Sequence, residues 1–189
     1  HVGRKHADGH LLGIALAVPK DVKPGEIAGC LRGMYAEDAS GEATKTVLKM
    51  GRVGKWQIQP ERRESLPLAL RNATWTAPSR SWATVTPIVL DRYPKAFGDS
   101  ERVVAEACKR IGLPEPESIV LTPVSFFIGS AHAQSFPTLP KKFGKTKFLH
   151  THAIITFDSP VRGPVLLGAG RYRGYGFCRP IKYQSRREP

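Results

Sequence analysis

Cysteine is scarce in this sequence. The 189 residues include only three cysteines, Cys30, Cys108 and Cys178, and no two of them have the CxxC spacing. An odd number of scattered cysteines supports neither a disulfide framework nor a zinc knuckle. We therefore expect a protein of a reducing compartment, the cytoplasm, that uses no metal and no other cofactor.

Long apolar runs are missing as well. A membrane-spanning helix needs about 20 consecutive apolar residues, and the longest runs here have the length of a strand. The sequence also lacks the basic amphipathic helix that lies on a membrane surface. These absences predict that the protein has no membrane partner. The chain begins at His1 without an initiator methionine, and we interpret it as the later part of a larger polypeptide.

Acidic residues are few in comparison with basic ones. The chain has 29 Lys or Arg against 16 Asp or Glu, which gives a formal charge of +13 and a pI near 10.0. The excess is uneven, because residues 141–189 hold eleven Lys or Arg but only two acidic residues, Asp158 and Glu188. Such a charge favours a polyanionic partner, with nucleic acid as the first candidate.

The second part of the chain contains an alternation of strand and helix patterns. Its apolar runs and turn signals predict the following elements: a strand at 82–90, a helix within 99–114 with Ser100 as N-cap, strands at 117–129 and 148–157, a short helical turn within 159–174, and a strand at 175–183. This β-α-β-β-α-β order is typical of an α+β, ferredoxin-like (RRM-like) domain.

The first part of the chain repeats this plan in abbreviated form. Its patterns predict a buried strand at 11–18, a short helix within 23–35, one or two strands within 44–61, and a further strand at 68–75. We therefore predict two tandem ferredoxin-like domains, at residues 1–80 and 81–189.

The segment "GAGRYRGYGFCRP", residues 168–180, combines glycine with basic and aromatic residues. Glycines let a ligand backbone approach closely, arginines bind phosphates, and tyrosine rings stack on unpaired bases. The segment lacks the GxGxxG and Walker A spacings. We predict that it contacts RNA, with these residues as contacts: Gly168, Gly170, Arg171, Tyr172, Arg173, Gly174, Tyr175 and Gly176. The alternative is an ordinary hairpin loop with solvated arginines.

Several segments together resemble a known family. "GPVLLGAGRYRGYGFCRPI" looks like the C-terminal glycine-rich loop of the RAMP superfamily, the repeat-associated mysterious proteins of CRISPR systems. With "HADGHLLGIALAVP", "WATVTPIVLDRYPK" and "HAIITFDSPVRG", the chain resembles the C-terminal, RNA-processing-endoribonuclease-like half of the Csb-type fused subunit of type I-G (formerly I-U) CRISPR effectors.

The resemblance implies binding of CRISPR repeat RNA and its metal-independent cleavage. In that reaction the ribose 2′-OH attacks the adjacent phosphate and leaves a 2′,3′-cyclic phosphate and a 5′-OH. The protein then stays bound to its product as one of the subunits of a type I interference complex. The alternative is a non-catalytic RAMP subunit that binds the repeat handle while another nuclease cuts.

Histidines are the candidates for the proton transfers of this cleavage, because imidazole titrates near neutral pH. The resemblance implies a catalytic histidine near the first helix, but residues 20–35 contain none. We therefore predict His6, His10 and His152 as catalytic residues. Alternatively, His6 and His10 are surface residues of a turn, and His152 is an ordinary strand residue bonded to its neighbours.

A second basic segment precedes the strand at 148–157. Four lysines alternate with aromatic residues in a loop that could contact a repeat hairpin, and His132 lies in the polar loop before them. We predict these five residues as further RNA contacts: His132, Lys141, Lys142, Lys145 and Lys147. A solvated loop is the alternative, and phosphate contacts of this kind would set affinity without reading base sequence.

Overall fold

The structure is a computed structural model, and it describes residues 13–18, 21–34, 37–49, 51, 54–96, 98–139 and 148–181. The chain divides into two compact units, one of residues 11–70 and one of residues 71–189 together with 1–10. Among the residues described, no helix is long and apolar enough to cross a membrane. The same residues contain no group of three or more His, Cys, Asp or Glu that could hold a metal ion.

The unit of residues 11–70 contains one helix and one hairpin in its described parts. Helix α1 covers Pro24–Leu31 and has its proline in the first turn, where proline is tolerated because the missing N–H would have no helical partner. Strands β1, Thr46–Lys49, and β2, Lys55–Ile58, pair in antiparallel fashion, with Thr46 opposite Ile58. The predictions of a short helix within 23–35 and of two strands within 44–61 are confirmed.

Two strand predictions in this unit are wrong. Residues 13–18 form no strand, and Ile14, Leu16 and Val18 are exposed. Residues 68–75 form a 3-10 turn at Leu68–Leu70 and the start of a helix instead of a strand. The described parts of 11–70 contain no buried residue, so the apolar run lacks the packed neighbours that would stabilise a core strand there. The tandem arrangement of two ferredoxin-like domains remains a prediction.

The unit that begins at residue 71 is built on one antiparallel sheet. Its elements are α2 at Ala73–Thr76, β3 at Ser79–Thr84, β4 at Ile88–Val89, α3 at Asp99–Arg110, β5 at Pro116–Thr122, β6 at His150–Val161 and β7 at Cys178–Pro180. The strand order β5-β6-β3-β7, with all neighbours antiparallel, is consistent with a ferredoxin-like domain. The predicted α+β class is confirmed for this unit.

The predicted strand at 82–90 is interrupted in the structure. Ala83 lies opposite Ile154 and Ile88 lies opposite Thr151, so β3 and β4 follow each other along β6. The β3–β4 side has two more residues than β6 over this stretch, and the interruption covers residues 85–87. Pro87 contributes to the break, because proline has no N–H for the ladder. This interruption leaves Thr86 and the carbonyl of Pro87 available to bind another segment.

Helix α3 covers the core side of the sheet. Its buried residues are Asp99, Val103, Val104, Ala107 and Cys108, and the apolar ones among them pack in one cluster with Trp82, Ile155 and Phe157. Residue Gly98, in a left-handed conformation, precedes the helix, so the prediction of Ser100 as N-cap is wrong by two residues. The helix ends at Arg110, and Gly112, two residues later with φ +79°, is the stop expected from the sequence.

Asp99 holds the start of α3 in place. Its carboxylate accepts a hydrogen bond from the backbone N–H of Lys95 at 2.8 Å and from the side chains of Arg92 and Arg102. The Lys95 N–H, followed by Arg102, lowers the pKa of Asp99 to about 2.

The chain between β6 and β7 has no second α-helix. The predicted helical turn within 159–174 is shorter than expected, because Ser159–Val161 still belong to β6 and only Arg171–Arg173 form a 3-10 turn. The segment is long enough to pass over the end of the sheet, and it carries the glycine-rich residues.

Candidate nucleic-acid interface

Two antiparallel segments, residues 165–170 and 175–178, form the lower part of the glycine-rich loop, which we call the base. Val165 and Leu167 are fully buried in the core. The N–H of Leu167 donates to the carbonyl of Gly176 at 3.0 Å, and the N–H of Cys178 donates to the carbonyl of Val165 at 2.9 Å. These bonds join the two segments, and residues 171–174 extend beyond them.

Two glycines allow the base to pack against the backbone. Gly168 has φ +81°, and a Cβ atom there would overlap the carbonyl oxygen of Val89; Gly176 has φ +64°, and its Cβ would overlap the carbonyl oxygen of Leu167. The close approach lets Ala169 N–H donate to Val89 O at 2.9 Å and Gly176 N–H to Pro87 O at 2.8 Å. The packing of the fold by itself therefore explains why glycine is required at positions 168 and 176.

Four of the predicted RNA contacts are buried in this base. They are Gly168, Gly170, Tyr175 and Gly176. The hydroxyl of Tyr175 donates to the carbonyl of Pro137 at 2.5 Å, and its ring centroid lies 6.0 Å from that of Phe136 and 5.4 Å from that of His150. The neighbours of the glycines and of the Tyr175 ring are protein atoms, so contact between these four residues and RNA stays a prediction.

The remaining predicted residues of the loop form a turn, which we call the basic tip: Arg171, Tyr172, Arg173 and Gly174. Arg171 is half-buried, and the other three residues are exposed. The side chain of Tyr172 is 78% exposed. Arg171 lies over the ring of Tyr172, with its guanidinium carbon 4.5 Å from the ring centroid, and it donates to the carbonyl of Gly168 at 3.2 Å. Gly174 closes the turn with φ +81°.

A distant residue supports the basic tip. Thr86, in the interruption between β3 and β4, donates through its hydroxyl to the carbonyl of Gly174 at 2.7 Å and accepts from the N–H of Phe177 at 3.0 Å. Sequence reasoning missed Thr86, because it lies 88 residues before Gly174 and no local pattern marks it.

The basic tip carries uncompensated positive charge. Within the described ranges, no carboxylate forms an ion pair with Arg171 or Arg173, whereas Arg62, Arg63, Arg80, Arg92, Arg102 and Arg110 all do. An exposed guanidinium without a carboxylate partner retains its capacity to bind a phosphate in bidentate geometry. The tip thus has the chemistry of a phosphate contact, next to an exposed aromatic ring.

His152 is fully buried, and both of its ring nitrogens have partners. Nε2 lies 3.1 Å from the carbonyl of Ala131, and since a carbonyl only accepts, Nε2 carries the proton. Nδ1 then accepts from the hydroxyl of Thr84 at 2.9 Å, while that hydroxyl accepts from the N–H of Ala153 at 2.9 Å. Burial lowers the pKa of His152. The neutral imidazole is enclosed by protein atoms at both nitrogens, and its role as a catalytic residue stays a prediction.

His132, a predicted RNA contact, and His150, which was not predicted as a site residue, differ from His152 in their burial. His132 is half-buried and precedes the 3-10 turn at Ala133–Ser135, where its Nδ1 accepts from the N–H of Gln134 at 3.1 Å. His150 is also half-buried, and burial lowers its pKa. Its Nε2 has no hydrogen-bond partner among the residues that the structure describes.

Six further predictions lie outside the described residues. They concern His6, His10, Lys141, Lys142, Lys145 and Lys147. Their roles as catalytic residues or RNA contacts stay predictions.

The fold and the basic tip define a basic α+β protein with an antiparallel sheet, one helix-covered face and a cationic loop. The chain belongs to the GSU0054 family of CRISPR-associated proteins, whose family model matches residues 1–180. No curated protein and no solved structure matches the chain. Membership of this family confirms the expected association with CRISPR systems.

Proposed function

We propose that this protein binds the repeat RNA of its CRISPR system, cleaves the precursor transcript without a metal ion, and remains on the product as a subunit of the interference complex. The observation that carries the proposal is the basic tip. Two arginines without carboxylate partners in the described structure flank an exposed tyrosine on a buried base, in a chain of charge +13.

The basic tip is suited to a folded RNA backbone. Arg171 and Arg173 would each bind a phosphate, and Tyr172 would stack on an unpaired base. Because the buried base sets the position of the turn, little ordering is needed when RNA binds. Contacts of this type depend on salt and on RNA shape more than on base sequence.

The cleavage step follows the chemistry of an internal nucleophile. A base removes the proton of the 2′-OH, the 2′-oxygen attacks phosphorus, the bond from phosphorus to the 5′-oxygen breaks, and an acid protonates that oxygen. We assign the two proton transfers to His6 and His10, because His152 is enclosed. Arginines of the basic tip would stabilise the extra negative charge on the phosphate in the transition state.

A second candidate function is the binding of the repeat without cleavage. The observation that favours it is the environment of His152, whose ring is buried and hydrogen-bonded at both nitrogens. In this alternative, the basic tip holds the RNA and a separate nuclease cuts it.

The test uses the full chain and its own CRISPR repeat RNA in EDTA. We expect a product that ends in a 2′,3′-cyclic phosphate, and no product when the ribose before the cut carries 2′-deoxy. His6→Ala and His10→Ala should each lower the cleavage rate by about 100-fold or more with RNA affinity retained. Arg63→Ala, at an arginine already paired with Glu61, is the matched control and should leave both unchanged.

The outcomes separate the two functions. Tight RNA binding without cleavage would support the holding function and reject the nuclease. Cleavage that requires Mg²⁺ would reject the proposed mechanism. A repeat RNA that binds no better than an unrelated RNA of equal length would reject both functions.

A further inference from the structure

Four apolar side chains at the end of β5 and in the loop after it are exposed, and we call this set the apolar ridge: Val120, Val124, Phe126 and Ile128. Their exposed fractions are 53%, 54%, 53% and 82% respectively. On β5, Ile119 and Leu121 pack against the core, so the intervening Val120 faces the other way. A single exposed apolar residue is ordinary, but several together often mark a binding surface.

The backbone under the apolar ridge is held in place at several points. The hydroxyl of Ser125 donates to the carbonyl of Thr84 at 2.6 Å, and the hydroxyl of Ser130 donates to the carbonyl of Val85. The N–H of Ala133 donates to the carbonyl of Pro123 at 2.9 Å. The loop is therefore fixed to β3 and closed on itself, and a surface ordered in advance binds a partner at lower entropic cost.

The apolar ridge lies in the longest uncharged segment of the chain. Residues 118–140 are 23 consecutive positions without Asp, Glu, Lys or Arg, in a protein in which 24% of residues are charged. An RNA-binding surface needs cations to compensate the phosphates. The centre of a protein–protein interface instead has few charged residues and many aromatic ones. The absence of charge within this segment favours a protein over RNA as the occupant.

The net charge argues against a second copy of the same chain. Each copy carries a formal charge of +13, and two such molecules repel each other as they approach. A different protein avoids this repulsion. If its surface is acidic, it is attracted by the positive charge of this chain. Arg179 supplies a local cation near the apolar ridge, since its guanidinium carbon lies 5.2 Å from the ring centroid of Phe127, the neighbour of Phe126.

We propose that the apolar ridge binds a different protein chain. The partner would present an apolar, uncharged patch surrounded by acidic residues. The inference rests on the proposed function, in which the protein acts as a subunit of an RNA-bound complex. It assigns different partners to two regions of the surface: the basic tip would bind RNA, and the apolar ridge would bind protein.

The test measures the two kinds of binding separately on the full chain. The probes are the other CRISPR-associated proteins encoded at the same locus, each purified and titrated by biolayer interferometry, and the repeat RNA. We expect one of these proteins to bind, and Phe126→Ser with Ile128→Ser to weaken that binding by at least tenfold, with RNA affinity unchanged. Leu16→Ser with Val47→Ser, at apolar residues of similar exposure in the other unit, should change neither.

A variant that binds less because it is unfolded is recognised by circular dichroism. Ile128→Ser alone then serves as the test, since its side chain is 82% exposed and leaves the core intact. The inference is overturned if no locus protein binds, if the ridge variants bind it as well as the unchanged chain does, or if they lose RNA affinity instead. It is also overturned if sedimentation shows a dimer of the unchanged chain that the ridge variants abolish.

Failure of the proposed function gives a different pattern. In that case the unchanged chain would not bind repeat RNA, whereas the ridge variants would still lose the protein partner. The two titrations therefore distinguish a wrong docking surface from a wrong function.

Discussion

The base and the basic tip of the glycine-rich loop belong to one stretch of sequence, but the structure uses them in opposite ways. In the base, Gly168, Gly176 and Tyr175 are buried against neighbouring backbone or side chains. In the tip, Tyr172 is largely exposed and Gly174 has no neighbouring atom within 4 Å of a Cβ built there. The comparison shows that glycine enrichment has two causes here, close packing in the base and turn geometry in the tip. Substitutions can test whether stability depends on the base and RNA binding on the tip.

The largest effect on stability is expected for Gly176→Ala. Its backbone has φ +64°, and the added methyl group would overlap the Leu167 carbonyl, so the base must shift. We expect a loss of about 2–4 kcal/mol in the free energy of unfolding, measured by urea titration. Gly174→Ala is the matched control, because it has a similar φ but open space, and should cost about 1 kcal/mol. Equal losses at both positions would contradict the assigned difference.

Burial of His152 in β6 should make the free energy of unfolding of the second unit depend on pH. Burial lowers the pKa of this group below its ordinary value of about 6.5. As the pH falls through about 6.5, the unfolded chain takes up a proton on this imidazole, whereas the folded protein keeps it neutral. The free energy of unfolding therefore decreases on acidification. His152→Gln should remove part of this decrease between pH 7.5 and 5.5.

His150 is the control for this measurement. Its pKa is lowered in the same direction, so His150→Gln measures the share of the other histidine. If His152→Gln leaves the slope of unfolding free energy against pH unchanged, the enclosed neutral imidazole is not the source of the dependence.

A smaller effect is expected for Tyr175→Phe. The change removes the hydroxyl that donates to Pro137 at 2.5 Å and keeps the ring packed against Phe136. The loss of one buried hydrogen bond should cost about 1 kcal/mol, seen as a lower midpoint in thermal unfolding. Tyr172→Phe, in the exposed tip, should leave the midpoint where it is. An equal shift for both variants would mean that the base does not depend on Tyr175.

The smallest effect on stability is expected for Arg171→Ala and Arg173→Ala. Substitutions on the surface usually stay within about 0.5 kcal/mol, and the half-buried Arg171, which also donates to Gly168 O, should lose slightly more than the exposed Arg173. Their effect should fall on RNA binding, where each is expected to lower the slope of log K against log salt concentration by about 1. Arg63→Ala is the control with an arginine neutralised by Glu61. A loss of stability without any change in the salt slope would reverse the roles of base and tip.

Sequence reasoning succeeded where structure follows from neighbours in the chain. The helix at Asp99–Arg110 lies within its predicted region, and β6 begins within its own but continues four residues beyond it, to Val161. Both were recognised because apolar spacing and stop signals are local. It failed at residues 13–18, where an apolar run forms no strand. Whether such a run pairs and is buried depends on partners far away in the sequence.

The candidate site divides in the same way. Arginine, tyrosine and glycine between 168 and 176 can be read from the sequence, and so can the excess of positive charge. The support of Gly174 by Thr86 spans 88 residues, and the enclosure of His152 by Thr84 spans 68. These contacts depend on the pairing of β3 with β7 and with β6, which local patterns do not specify.

By itself, the sequence determined the charge of +13, its concentration toward the C-terminus, the uncharged segment at 118–140 and the α+β composition of the second unit. Only the tertiary structure decided which glycines pack inward, which histidine is enclosed, and which apolar residues remain exposed. The physical reason is that charge and short-range periodicity are fixed by the residue types and by their spacing along the chain. Burial and hydrogen-bond partners instead depend on residues that the sheet brings together from distant positions.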